Sequence, residues 1–227
     1  MDLFEAYPQL IERDLQVLSE RSLRLIAVSG FVYDDESFYF ELGQPRYWGR
    51  LADGTVSIGV GAPKVQPDGI HPPHQALVRY LKRSWRAQVD LYAAGHSYVL
   101  DEEGRVHVMG EVGAGLPYVF VFTPPRLGGG EVPDALVQAV YLLPARRVRA
   151  SDGSQLVLKV ARSALETFLG PESWGVDDLR DQSWADLLGE AVFPARASLR
   201  PVLALRGLRA LMEVGALPGL LSGSLSA

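Results

Sequence analysis

Four cations, Arg79, Lys82, Arg83 and Arg86, crowd into one short stretch, and no carboxylate lies between Asp68 and Asp90. Such a cluster can neutralise phosphate oxygens directly, arginine doing so through paired hydrogen bonds. The plainer alternative is a solvated face whose cations pair with nearby acids, which is the commoner fate of an isolated charge stripe. Upstream stand Lys64 and the aromatic pair Tyr47-Trp48. These aromatics can stack on a nucleobase or fill a half-buried strand. Acids able to ligate a hard cation are scattered over turns and loops: Asp68, Asp101, Glu102, Glu103, Glu111, Glu131 and Asp134. Exposure of turns to water explains most of them. His71 and His74 are separated by two prolines, and His96 and His107 fall on opposite strands of a hairpin, so a four-histidine metal site would need that hairpin to face the helix start. We expect no resident metal. Gly-x-Ser-x-Gly, P-loop, Gly-x-Gly-x-x-Gly and His-Glu-x-x-His signatures are missing.

The cationic stretch needs a helix to place its charges together. Between Pro72 and Gln88, a period of 100° per residue puts Leu77, Tyr80, Leu81, Ser84 and Trp85 on one side and the four cations opposite. Two prolines at its start suit the first turn, where N–H groups lack helical acceptors. Strands surround it. The sequence predicts hairpins over 25–33 with 38–42, over 47–51 with 55–60, and over 92–100 with 105–112, followed by strands 118–123 and 136–143. Helices are expected over roughly the first eighteen residues, over 154–169, after a capping sequence at Ser183-Trp184-Ala185-Asp186, and after Ser198.

Composition narrows the classes. With 227 residues, 48% hydrophobic and 22% charged, the chain has enough apolar material for a real core and is neither disordered nor collagen-like. Having no cysteine, it can form no disulfide, thiolate metal site or cysteine nucleophile. The net charge of −5 disfavours a general nucleic-acid binder. Residues 1–18 lack the basic and continuous apolar segments of a signal peptide, and Arg200, Arg206, Arg209 and Glu213 interrupt the apolar stretch 199–221. A cytoplasmic protein with no membrane partner is the expectation.

The segment Ile58-Gly59-Val60-Gly61-Ala62-Pro63-Lys64, running through Asp68-Gly69 into the cationic helix, resembles the opening of the Nudix box. Gly61-Ala62 stands where the glycine pair would be, Asp68 at the first box glutamate, and Arg79-Tyr80-Leu81-Lys82-Arg83-Ser84 at the helical Arg-Glu run. Strand order over residues 23–170 is similar too. The resemblance implies an α/β fold: a Nudix-like α/β/α sandwich with a mixed sheet, preceded by an N-terminal helix (1–22) and followed by a helical C-terminal extension (171–227). It also implies magnesium or manganese bound by helical glutamates. Here their places hold Tyr80, Arg83 and Ser84, and no shift of register within 69–89 supplies an acid.

Three expectations follow. The first is a Nudix-like protein that binds a nucleotide or other phosphorylated small molecule without metal-dependent hydrolysis, through Tyr47, Trp48, Lys64, Arg79 and Arg83. The second keeps a magnesium-dependent diphosphate hydrolase with relocated acids, Asp68, Glu111 and Glu131, the last placed by the family's use of an acid from a loop after the box. The third is an interaction module that buries Leu205, Leu208 and Met212 of the C-terminal helix against a second copy.

Overall fold

A computed structural model describes residues 1–7, 22–89, 96–100, 106–111, 118–122, 135–149, 156–189 and 192–213. In chain order these form α1 (Leu3–Ala6), β1 (Leu23–Tyr33), β2 (Ser37–Leu42), β3 (Gly49–Arg50), β4 (Val56–Gly61), β5 (Lys64–Val65) and α2 (Pro73–Ser84). Strands β6 (Gln88–Val89), β7 (His96–Leu100), β8 (Val106–Glu111), β9 (Tyr118–Phe122), β10 (Ala135–Arg147) and β11 (Val157–Ala161) follow. The remainder is α3 (Leu165–Leu169), β12 (Trp174–Gly175), α4 (Val176–Arg180), β13 (Ala185–Leu188), β14 (Ala197–Pro201) and α5 (Leu203–Glu213). The class is mixed α/β, dominated by strands.

The chain divides into two compact units, each assembled from separate segments. The first comprises Met1–Gly30, Lys64–Arg79 and Leu91–Leu143; the second Phe31–Pro63, Tyr80–Asp90 and Pro144–Ala227. In the first unit β9 lies between β10, antiparallel, and β7, parallel, with β8 antiparallel to β7. Strand β5 pairs with β1 at Val28↔Val65 and Ser29↔Lys64. The alternating exposure of Leu23 to Leu25 gives way to continuous burial from Ala27 onward, as a strand covered on both faces requires.

In the second unit β2 pairs antiparallel with β11 along its length and with β4 at Glu41↔Gly61. Strand β14 runs parallel to β4, β12 joins β14, and β13 pairs with β11. Phe40 lies opposite Leu158, which lies opposite Leu187, so these three side chains share a face; Glu41 and Val157 project from the other. On the Phe40 face the rings of Phe38, Phe40 and Phe168 stack at 6.2 and 5.5 Å, and Trp184 packs edge-on against Phe168 and Trp174.

Several sequence expectations meet a different outcome. Residues 157–161, expected within a helix, form β11, because a central strand buried between β2 and β13 selects the same Val-Leu-x-Val run that a helical stripe would. The helix is confined to α3. Ser183 to Asp186 caps no helix: Ala185–Leu188 is strand, with Ala185 N–H donating to Gln182 C=O at 3.2 Å. Ser198 lies inside β14, and the last helix begins at Leu203. Asp2 caps α1 through Phe4 N–H at 2.8 Å, while residues 8–21 of the expected first helix and the loop 124–133 lie outside the described residues.

Candidate functional site

The glycines of the Nudix-box-like segment have a packing reason. A Cβ on Gly61 would sit 2.7 Å from Val202 Cγ2, and one on Gly59 3.0 Å from Val202 Cγ1. The chain therefore needs glycine where β4 passes beneath the approach to α5. That helix buries Leu205 and Leu208 completely against its own unit, with α3, β4 and β14 around it, and Met212 is partly exposed.

Lys64, Asp68 and Arg79 belong to the first unit; Tyr47, Trp48 and Arg83 to the second. Lys64 is exposed on β5. Asp68 is an exposed cap on the approach to α2: one oxygen accepts from Ile70 and His71 N–H, both at 2.9 Å, and the other meets His71 Nδ1 at 2.8 Å. The His71 backbone bond, then the His71 ring and Ile70 N–H, hold its carboxyl well below the usual range. Its oxygens are thus already used in the turn. Glu111 lies on β8 opposite His96, its side chain outside the described residues, as is Glu131 altogether. Among the described residues no three acids or histidines gather as a metal cluster.

Helix α2 buries Leu77 and Leu81, with Trp85 just past its end, and leaves Arg79, Lys82, Arg83 and Arg86 in solvent. Each fully buried leucine contributes about 1.5–3 kcal/mol, enough to fix which face turns outward. Arg79 Nε donates to Gln75 C=O at 3.3 Å. Arg86 carries a positive φ of 50°, ending the helix. Tyr80 donates its hydroxyl to Glu41 Oε2 at 2.8 Å. Burial, and then the Glu41 charge, push the Tyr80 pKa up. Glu41 is the site residue that sequence reasoning missed. Its only signal was its alternation with Phe40 on β2, which sends the two to opposite faces.

Tyr47 and Trp48 separate in role. Tyr47, at the end of a one-turn helix Pro45–Tyr47, is 69% exposed with the Arg46 guanidinium 4.7 Å from its ring centre. Trp48 turns inward, donating Nε1–H to Gly43 C=O at 2.6 Å and stacking on Phe193 at 6.1 Å. Arg180 lies 5.3 Å from the Phe193 ring centre. Phe193 and Arg180 border a cleft of about 220 Å³ beside β11 and β13.

No family model matches the chain, and no curated protein does. Among solved structures, it is similar to that titled "Solution structure of the E. coli ORF135 protein", at 14% identity over 63% of this chain and 79% of that one. The TM-score is 0.30, too low to carry an argument. No helix among the described residues is long and apolar enough to cross a membrane.

Proposed function

We propose that this is a Nudix-like protein lacking the helical metal-binding glutamates, which binds a nucleotide or another phosphorylated small molecule without metal-dependent hydrolysis. One observation carries the reading: the outward face of α2 is cationic and carries no carboxylate, while the place of the first helical glutamate holds Tyr80, hydrogen-bonded to Glu41. Guanidinium groups there can do for phosphate oxygens what a metal does in a hydrolase, with charge and directed donors but no activated water. Exposed Tyr47 supplies a stacking surface of the kind a base uses.

Glu41 favours a second reading, since magnesium bound largely by substrate phosphates needs only one or two protein carboxylates. Thermal shifts with a panel of nucleoside mono-, di- and triphosphates, with and without magnesium, separate the two. The binder predicts a shift that survives chelation and is lost in Arg79→Ala and Arg83→Ala. Magnesium-dependent phosphate release abolished by Glu41→Gln would support the hydrolase instead, and no shift with any nucleotide would sink the binder.

A further inference from the structure

The ends of α2 and β10 bring two arginine-rich segments of the second unit together. Strand β6 pairs with β10 at Ala145↔Val89 and Arg147↔Gln88, and Arg149 N–H donates to Trp85 C=O at 2.9 Å. Lys82, Arg83 and Arg86 therefore lie beside Arg146, Arg147 and Arg149, which are distant in the sequence. All six are exposed, and neither 79–89 nor 144–149 holds a carboxylate. Two backbone irregularities fall among these cations. A regular strand would turn Arg146 and Arg147 to opposite faces, but the pairing with β6 slips by one residue between Ala145 and Arg147, and both side chains reach solvent. Arg86 holds φ 50°, where glycine or asparagine usually ends a helix. Arg86 and Arg146 have other partners within the chain, which leaves Lys82, Arg83, Arg147 and Arg149 as the cations of this patch open to a ligand among the described residues.

The make-up of the patch selects among polyanions. Lys82 and Arg86 are about 6 Å apart along the helix axis, and Arg147 and Arg149 about 7 Å apart along the strand. The charges thus follow one another in a row, which suits phosphates repeated along a polymer better than a single converging phosphate. None of the exposed large hydrophobic side chains lies in these segments, and Leu77, Leu81 and Trp85 are fully buried, so α2 offers no apolar face to a lipid layer. For the same reason no aromatic ring there is free to stack on the bases of a single strand. Phosphate contact alone is what a duplex backbone asks of a protein. We propose that the α2–β10 patch docks on the phosphate backbone of a DNA duplex without reading its sequence. The net charge of −5 is an average over the chain and leaves this patch basic. Arg83 is shared with the nucleotide reading, but Arg147 and Arg149 are not, so the two stand or fall separately.

Fluorescence anisotropy of the full chain with labelled DNA duplexes of unrelated sequence, between about 50 and 200 mM potassium chloride, tests this. Binding is expected to be independent of sequence, with log K falling linearly against log salt at a slope of about −4 for four phosphate contacts. Arg147→Gln combined with Arg149→Gln should make that slope shallower by about 2 and weaken every duplex roughly tenfold. Both side chains are exposed, so this variant should melt with the parent and keep its nucleotide thermal shift. Arg46→Gln removes the same charge from the one-turn helix and should change the affinity by less than about twofold. The proposal is overturned if no duplex binds at the lowest salt, if the double variant keeps the parent slope, or if Arg46→Gln weakens binding as much as Arg147→Gln. It is equally overturned if single-stranded DNA, or vesicles of phosphatidylglycerol and phosphatidylcholine at matched phosphate concentration, bind more tightly than the duplex. A nucleotide shift lost in the double variant would assign both arginines to the nucleotide site instead, and a dimer in sedimentation that Arg147→Gln splits would assign the patch to a second copy.

Discussion

In the first unit two pairs of polar side chains are buried against each other; in the second, beside buried Ser37 and Arg162, a set of arginines stays on the surface. Ser29 on β1 and Gln138 on β10, 0% and 8% exposed, hydrogen-bond to each other, and Tyr141 donates to Tyr7 at 3.1 Å with both hydroxyls buried. Burial, the leading cause in each, raises the Tyr7 pKa far above its ordinary value and pushes that of Tyr141 up to about 12, so both stay neutral at any physiological pH. The second unit keeps Arg83 and Arg180 in water. A buried polar group without a partner costs about 1–3 kcal/mol, whereas an exposed one costs almost nothing until a ligand arrives. The first arrangement specifies a fold, and the second can be spent on recognition.

The largest expected effect breaks the interior side of that contrast. Gln138→Leu strands the Ser29 hydroxyl and should lower unfolding free energy by about 1–3 kcal/mol in urea titration. Adding Ser29→Ala should recover most of the loss, because removing both partners leaves nothing unsatisfied. A double variant as unstable as the single one would mean that packing, and not the hydrogen bond, holds this position.

Next comes Gly61→Ala, which places a methyl group against Val202 and should cost about 1 kcal/mol, the low end of overpacking. Val202→Ala in the same chain should relieve it. Nucleotide thermal shifts unchanged in the rescued double variant would establish that this glycine serves packing alone, despite its place in a Nudix-box-like sequence. Arg83→Ala sits on the other side of the comparison. Its stability should stay within about 0.5 kcal/mol of the parent while the nucleotide response disappears.

How far the sequence foretold this varies with the range of the interaction. The hairpin β3–β4 was legible from Asp53-Gly54, whose glycine adopts φ 83°, and α2 from its period. Local signals sufficed there. Strand β11 was misread because what makes it a strand is β2 and β13 on either side, more than a hundred residues from one partner. Glu41 was invisible for the same reason: it is 39 residues from Tyr80 and acquires its role only when β2 and α2 meet. Trp48, by contrast, was singled out for its ring, but the partner that gives it context, Phe193, carries no local signature.

The smallest effect concerns His74, which lies between the two classes. It is half-buried on α2, its ring 6.2 Å from that of Tyr141, and desolvation lowers its pKa from the ordinary 6.5. A depressed folded pKa means that, as pH falls below 6.5, the unfolded chain takes up the proton first. Stability is therefore full above that value and declines on acidification through the folded pKa. Asp68 acts in a separate window: its depressed carboxyl stabilises above the ordinary carboxylate range and loses that contribution only in stronger acid. Melting temperatures of the parent and His74→Gln, followed from pH 7.5 to pH 5, should diverge in slope, the parent falling faster. Parallel slopes would place His74 among the solvent-exposed side chains and move the boundary of the buried polar network back to Tyr141.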